Sequence, residues 1–185
     1  MIIFTDIEKV NISEPTIVVI GKFDGDHIGH QKLFSEMRKA ASFYHLKTAA
    51  VSFDISQIIS YESKLERLEK EGVEYLLQLH MSKEIMSISG VDFLKNVLIG
   101  KMNMKAIAAG PDCAFGFEKS GNIELLNKYS DELDYRVIVV DKVKDSNGEE
   151  INSTAIRDLI NQGQLDAARQ LLGESGKYLS IKADC

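Results

Sequence analysis

Short apolar runs alternate with amphipathic stretches along most of this chain of 185 residues. Five runs have the length and apolar character of buried strands, and we predict strands at 16–20, 48–53, 73–79, 105–109 and 136–140. We predict helices at 31–44, 64–70, 91–99, 122–129, 153–161 and 165–172. In the first helix the apolar residues are spaced three and four apart on one face: Leu33, Phe34, Met37, Ala40 and Ala41.

This alternation of strands and helices predicts an α/β fold with a parallel sheet, right-handed crossovers and helices on both faces. The polar stretch 142–150, which contains Asn147-Gly148, is predicted to be a loop. No helix or strand is assigned to 55–63. Since the chain shows no internal repeat, low-complexity tract or obvious linker, we expect a single domain over 1–185.

Composition and charge narrow the possible functions. The formal net charge of −6 argues against a broad nucleic-acid-binding surface. The first eight residues lack the basic region of a signal peptide, and no apolar run has the length of a membrane span, so no membrane partner is expected. The two cysteines, Cys113 and Cys185, show neither a disulfide framework nor a metal-type spacing, which favours the cytoplasm.

The segment 21–31, GKFDGDHIGHQ, carries the strongest chemical signal. It joins a predicted strand to a predicted helix, where the unpaired N–H groups and the positive dipole of a helix N-terminus bind phosphates. The glycines allow close approach of the backbone, and Lys22 could assist phosphate binding. His27 and His30, three residues apart, can point the same way. We predict that this pair stabilises negative charge on a polyphosphate while one phosphorus atom is attacked.

The histidine pair is open to two other interpretations. The first is a capped surface helix with incidental histidines, because short motifs often occur by chance. The second is a zinc site, which needs a third and usually a fourth ligand, whereas His45 and His80 lie outside any suitable spacing. The strand, the glycine turn and the following helix together favour the phosphate site.

Two further segments are candidates for ligand contacts. The segment 151–157, INSTAIR, opens a helix, and Ser153 or Thr154 is predicted to be its N-cap. Arg157 adds a planar cation suited to phosphate oxygens, although helix capping alone would explain the hydroxyl pair. The segment 110–117, GPDCAFGF, follows a predicted strand at the end where α/β proteins bind ligands. Its Phe115 and Phe117 are predicted either to line a pocket for a flat ring or to cover the core.

These three segments, in this order, resemble the adenylyltransferase module of the prokaryotic bifunctional riboflavin kinase/FMN adenylyltransferases. The resemblance extends from about Thr16 to Gly173 and includes the stretch 163–173, GQLDAARQLLG, which is similar to the part that leads into the kinase domain. It implies a Rossmann-like doubly wound parallel sheet of the nucleotidylyltransferase superfamily. It also implies a reaction in which FMN and ATP give FAD and pyrophosphate with Mg²⁺, without riboflavin kinase activity.

The resemblance assigns roles residue by residue. His27 and His30 would steady the ATP phosphates, and Ser153, Thr154 and Arg157 would hold the β- and γ-phosphates. The nucleotide turn and the flavin side would be formed by two further sets: Gly21, Lys22, Phe23, Asp24, Gly25 and Gly29 for the turn, and Asp112, Phe115 and Gly116 for the flavin. The metal ligands and the oligomeric state are not specified by the sequence.

Several positions depart from the family pattern. The usual Phe-x-Pro-His-Pro is replaced by 53–57, FDISQ, and Asp26, Ala114 and Asn152 stand at positions where an apolar residue, an arginine and a serine are usual. These departures motivate two alternatives. The first is a nucleotidylyltransferase that acts on another phosphorylated acceptor, and the second is a flavin-nucleotide binding protein with little catalysis.

Overall fold

The computed structural model describes residues 1–23, 27–54, 60–144, 148, 150–173 and 176, and the side chain of Asp54 lies outside this description. In these ranges six strands form one sheet in which every pairing is parallel. The strands are β1 (Ile2–Phe4), β2 (Thr16–Gly21), β3 (Lys47–Asp54), β4 (Tyr75–His80), β5 (Met104–Ala109) and β6 (Arg136–Val139). Their order across the sheet is β1-β4-β3-β2-β5-β6.

The helices connect these strands. They are α1 (Ile28–Tyr44), α2 (Tyr61–Lys70), α3 (Lys83–Ser87), α4 (Gly90–Asp92), α5 (Ile123–Ser130), α6 (Ser153–Asn161) and α7 (Leu165–Leu172). Helix α4 continues directly into a π-helical segment, Phe93–Ile99, and short 3₁₀ turns occupy Ile7–Lys9 and Phe117–Lys119. No helix of the described ranges combines the length and apolar character required to cross a membrane.

Successive residues of a strand point to opposite faces of the sheet, and helices pack against both faces. Ile17 and Val19 of β2 pack with α1 and α2 in one core cluster. Val18 and Ile20 pack in a second cluster, with the π-helical segment and α5. The doubly wound α/β fold predicted from the sequence is therefore confirmed.

Helices α6 and α7 belong to neither of these two clusters. The two helices contact each other around a small core of their own, formed by Ile156, Ala168 and Leu172. Gln31 Nε2 of α1 donates a hydrogen bond to the carbonyl of Leu172 (3.3 Å), which joins this pair to the start of α1. The pair is thus attached to the sheet layer through the helix that follows β2.

All five predicted strands are present, with ends that shift by one or two residues, and two elements were missed. Strand β1 is three residues long at the sheet edge, and α3 is five residues long, so neither is long enough to establish a hydrophobic period. Helix α1 begins at Ile28 rather than 31. Helix α2 begins at Tyr61 rather than 64, because Ser60 Oγ accepts a hydrogen bond from the Ser63 N–H (3.2 Å) and caps it.

Candidate active site

The carboxyl ends of β2 and β5 are neighbours at the centre of the sheet, with Val19 opposite Ala108. The chain leaves β2 toward β3 and β4 on one side, whereas β5 and β6 lie on the other, so the strand order reverses here. Ligands of open α/β sheets bind in the crevice at such a switch point. The segments that follow these two strands, 21–31 and 110–117, are thereby brought to the same place.

His27 and His30 form a stacked pair at the start of α1. Their ring centroids are 3.9 Å apart with an angle of 23° between the planes. His27 is the N-cap residue of α1, and its carbonyl accepts hydrogen bonds from the N–H groups of His30 (2.8 Å) and Gln31 (3.1 Å). The predicted alignment of the two imidazoles is confirmed, although only His30 lies within the helical turn.

The Nδ1 atoms of His27 and His30 are buried, and neither has a hydrogen-bond partner among the described residues. Burial lowers the pKa of His27 to about 4. Burial, and then the neighbouring His27, lower the pKa of His30 well below its ordinary value. Both rings are therefore neutral at pH 7, and each has one N–H to donate. An unpaired buried polar atom costs free energy, and these two nitrogen atoms are enclosed by the protein.

Two glycines make room for the ring cluster at this turn. A Cβ on Gly21 would lie 2.9 Å from the ring of Phe23, and a Cβ on Gly29 would lie 3.0 Å from His27 Nδ1. Phe23 is buried with a positive φ of 46° and meets the His30 ring edge to face, with centroids 5.4 Å apart. Gly21, Phe23 and Gly29 therefore fix the orientation of the histidine rings, and a nucleotide contact by these three residues stays a prediction.

A cavity of about 240 Å³ opens in front of the histidine rings, and we call it the histidine cavity. The end of β2, the turn and the start of α1 contribute Ile20, Phe23, His27, Gly29, His30 and Leu33, and the rest of the wall comes from three loops, 110–113, 140–143 and 150–152. The first and third of these loops belong to the two other segments that the sequence singled out. All three candidate segments thus border one cavity.

A second cavity of about 700 Å³ lies next to it and is lined mainly by apolar side chains, and we call it the aromatic cavity. Its walls include Phe53, Met81, Ile85, Met86, Phe93, Phe115 and Phe117. Ile20, Asp112 and Cys113 border both cavities. Two ligands, one bound in each cavity, would meet at these three residues.

The loop after β5 is a packed structure that also forms the wall of the aromatic cavity. Phe115 is 3% exposed and packs on Phe93, with ring centroids 5.8 Å apart, whereas Phe117 is 51% exposed. Gly116 has a φ of 72°, and a Cβ there would lie 2.5 Å from the backbone nitrogen of Gly90. Phe115 covers the core, and each ring borders the cavity, whereas a flat ring as its ligand stays a prediction.

The remaining predicted residues of the first segment are placed differently. Lys22 is exposed, lines the aromatic cavity rather than the histidine cavity, and its carbonyl accepts a hydrogen bond from Ser52 Oγ (3.2 Å). Asp24 and Gly25 lie outside the described residues, and so does Asp26. Their predicted roles therefore stay predictions.

The predicted N-cap of α6 was wrong. The cap is Asn152, whose Oδ1 accepts a hydrogen bond from the Ala155 N–H (2.9 Å), so Ser153 and Thr154 are the first two helical residues. An asparagine outranks a threonine as an N-cap and matches a serine, and its position directly before the helix was the signal available. The hydroxyl groups of Ser153 and Thr154 are consequently not used for this cap.

The start of α6 adjoins the histidine turn. The carbonyl of Ile151 lies 3.5 Å from where a Cβ on Gly29 would be, and Ile151 and Asn152 line the histidine cavity. Thr154 borders a third, open cavity of about 880 Å³ that also includes Asp112 and Glu150. Ser153 and Arg157 are partly buried in the first two turns of α6 and line neither of the two named cavities.

Sequence reasoning missed one charged group at the mouth of the histidine cavity. Lys142 Nζ forms ion pairs with Asp112 and with Glu150, the latter at 2.6 Å. Lys142 and Glu150 stand near the two ends of the predicted loop 142–150. Their opposite charges were the signal in the sequence that could have indicated an ion pair.

Other titratable groups give no sign of a separate centre. Burial raises the pKa of the Cys113 thiol to about 11, so this cysteine is a poor nucleophile. No group of three or more His, Cys, Asp or Glu side chains suited to a metal ion occurs among the residues that the structure describes. These residues therefore do not offer a protein cage for a cation.

The parallel sheet with helices on both faces defines a doubly wound, Rossmann-like α/β protein. The chain belongs to the FAD synthetase family, whose sequence profile matches residues 9–155. A bifunctional riboflavin kinase/FMN adenylyltransferase of Buchnera aphidicola subsp. Acyrthosiphon pisum is 33% identical over 174 residues, which is 88% of this chain and 55% of the relative. The protein of the same name from Listeria monocytogenes is 30% identical over 183 residues, 92% of this chain and 55% of the relative. The chain thus spans little more than half the length of these relatives.

Solved structures show the same fold. A crystal structure described as a macrolide-efflux protein from Streptococcus pneumoniae superimposes with a TM-score of 0.83 at 33% identity, over 93% of this chain and 59% of the other. Pantoate-beta-alanine ligase from Francisella tularensis, complexed with beta-gamma ATP and beta-alanine, gives a TM-score of 0.58 at 12% identity, over 100% of this chain and 80% of the other. The second likeness concerns the fold alone.

Proposed function

We propose that this protein is an FMN adenylyltransferase that transfers AMP from ATP to FMN and releases pyrophosphate. The observation that carries the proposal is the junction of two unlike cavities at Ile20, Asp112 and Cys113. One cavity is lined by the two histidines and the start of α1, which suit phosphates, and the other presents aromatic and methionine side chains, which suit a flat ring. The family and the names of the relatives support the same reaction.

In the proposed reaction a phosphate oxygen of FMN attacks the α-phosphorus of ATP. A new P–O bond forms, the bond from the α-phosphorus to the oxygen that bridges to the β-phosphorus breaks, and pyrophosphate leaves. No covalent enzyme intermediate is required, so the protein acts by positioning the two substrates and stabilising charge.

The neutral rings of His27 and His30 suit this task. Each donates one N–H toward phosphate oxygens from a buried position, where a hydrogen bond to a charged group is stronger than in water. The first backbone N–H groups of α1 point into the same region and add the positive end of the helix dipole. Ser153, Thr154 and Arg157, beside this turn on α6, are proposed to hold the β- and γ-phosphates.

Magnesium belongs to the proposal as the companion of ATP. Because the described residues contain no donor set for a cation, we assign Mg²⁺ no protein ligand and no separate step. Mg²⁺ keeps several waters in nucleotide sites and binds substrate phosphates together with one or two carboxylates.

The test is to incubate the purified protein with FMN, ATP and Mg²⁺ and to separate the flavins by chromatography. We expect FAD in many-fold excess over enzyme, no product without Mg²⁺, and none with riboflavin in place of FMN. A panel of other phosphorylated acceptors, each with ATP and with CTP, is the matched comparison. If the folded protein makes no FAD but adenylylates another acceptor, that acceptor replaces FMN in the proposal.

A further inference from the structure

Two carboxylates stand at the mouth of the histidine cavity, where a polyphosphate would have to enter. Asp112 comes from the loop after β5, and Glu150 precedes α6; both line this cavity and the open cavity beside it. Two negative charges at this place would repel the phosphates of a nucleotide and weaken its binding, because like charges at close range repel each other.

Lys142 lies between these two carboxylates. Its Nζ pairs with Asp112 on one side and with Glu150 Oε2 on the other, at 2.6 Å. The side chain of Lys142 is 31% exposed, against 47% for Glu150 and 75% for Asp112, so it is the least exposed of the three side chains. The hydrogen bonds to Asp112 and then to Glu150 raise the pKa of Lys142, which therefore stays charged at pH 7.

The same lysine joins three segments that build the cavity. Lys142 follows β6, and its neighbour Val143 accepts a hydrogen bond from the Ile151 N–H (3.0 Å). Lys144 and Glu150 form an antiparallel bridge next to this contact. The ion pairs therefore link the loop after β5 and the residues before α6 through the segment that follows β6.

We propose that Lys142 is a positioning residue of the nucleotide site, which bridges Asp112 and Glu150 so that their charges are balanced and the polyphosphate can enter the histidine cavity. This inference rests on the proposed function in one respect, since it requires a nucleotide in this cavity. It does not depend on which acceptor is used.

The experiment measures the Kd of a non-hydrolysable ATP analogue with Mg²⁺ for wild-type protein and for K142A, K142R and K142A/E150Q. At low salt we expect K142A to raise Kd by about five- to tenfold, since two uncompensated carboxylates then face the phosphates. Removing one of those charges in K142A/E150Q should return Kd to within about threefold of wild type, and K142R should bind nearly as wild type does.

Salt provides a readout that a merely structural role would not move. Because both carboxylates are partly exposed, about 0.5 M NaCl should reduce the effect of K142A to less than about twofold. The matched control is K105A: Lys105 also pairs with a carboxylate, Asp134 at 3.4 Å, but near the amino end of β5. K105A should leave Kd unchanged, and thermal unfolding of each variant should show that it is folded.

The outcomes separate this inference from the function on which it rests. Wild-type protein that binds no analogue would overturn the proposed function and the bridge together. Wild-type binding that K142A leaves unchanged overturns the bridge alone. A K142A/E150Q variant that binds as weakly as K142A also overturns it, since the lysine would then contact the phosphates directly.

Discussion

The histidine pair shows how burial sets the chemistry of single residues. His27 and His30 are kept neutral by the surrounding apolar side chains, and their stacking at 3.9 Å would place two positive charges side by side if both were protonated. A pair of neutral donors can bind phosphate oxygens without the cost of desolvating two cations. The donors are fixed in place by Phe23 and Gly29 before any ligand arrives.

Replacing His30 by Ala should lower kcat for FAD formation by roughly 10²- to 10³-fold, because it removes a preorganised donor to the phosphates. The measurement is steady-state turnover with ATP and FMN. His45→Asn, at the far end of α1, is the control and should keep full activity, since His45 follows the helix in a left-handed conformation that asparagine also adopts. A folded H30A variant with unchanged turnover would remove His30 from the catalytic role.

The stability of the protein should fall as the pH decreases from about 6.5 toward 4. The pKa of His27 is lowered from 6.5 to about 4 by folding, and that of His30 is lowered as well, so the unfolded chain binds more protons in this window. The free energy of unfolding that the two histidines contribute is fully present above their pKa in the unfolded chain. It is lost as the pH falls toward their pKa in the folded protein. Glu14 and Glu74 have lowered pKa values and titrate below 4.5, outside the upper part of this window.

Urea unfolding at pH 7 and at pH 5 measures this effect. The control is the double variant H27N/H30N, whose side chains do not titrate, and its stability should change less between the two pH values. Equal pH dependence in the variant and in the wild type would show that other groups are responsible.

At the scale of elements, the start of α6 departs from what its sequence suggested. Asn152 caps the helix, and Ser153 and Thr154 become its first two residues, so the helix begins with two hydroxyl side chains beside the histidine turn. A serine-threonine pair predicts a helix start correctly but does not identify which polar residue is the cap, since Asn and Ser are equivalent in this role.

Asn152→Ala should therefore destabilise the protein by about 1 kcal/mol, because it removes the hydrogen bond to the Ala155 N–H. Asn152→Ser, which restores a capping oxygen, should retain most of the stability. Thermal unfolding checks both, with Asn161→Ala at the last residue of α6 as the control. Equal stabilities of N152A and N152S would contradict the assignment of the cap.

The elements that sequence patterns predicted well are those with long apolar periods. Helix α1 and strands β2, β3 and β5 are buried on faces that the residue spacing already defines. Strand β1 and helix α3 were missed because three and five residues carry no readable period. The position of Gly116 depended on a backbone contact with Gly90, which is distant in sequence and gives no local signal.

On the scale of the whole molecule, the sheet order assembles the site. Three segments that are far apart in sequence meet because β2 and β5 are hydrogen-bonded neighbours and because Ile151, just before α6, lies beside Gly29 of α1. The sequence predicted the segments and the edge of the sheet that bears them. It did not predict the ion pairs of Lys142, since these depend on the distances between loops of different strands.

The division into two cavities predicts separable effects on the two substrates. Phe117→Ala should raise the KM for FMN several-fold and leave the KM for ATP unchanged, because Phe117 is half-exposed and lines only the aromatic cavity of the two. Initial rates with each substrate varied in turn provide the measurement. Phe43→Ala, another exposed phenylalanine, is the control. A change in the KM for ATP alone would reverse the assignment of the cavities.

The separate core of α6 and α7 has a consequence for how the activity is lost. Among the residues that the structure describes, its buried part consists of Ile156, Ala168 and Leu172, whereas each face of the sheet is covered by a cluster several times larger. Small clusters open first, so the helix that carries Ser153 and Thr154 should detach while the sheet is still intact. As the urea concentration is raised, turnover should then decline before the circular dichroism signal of the sheet does. The limit of the proposed activity would be set by local opening of two short helices, and engineering of that small core would extend it without any change at His27 and His30.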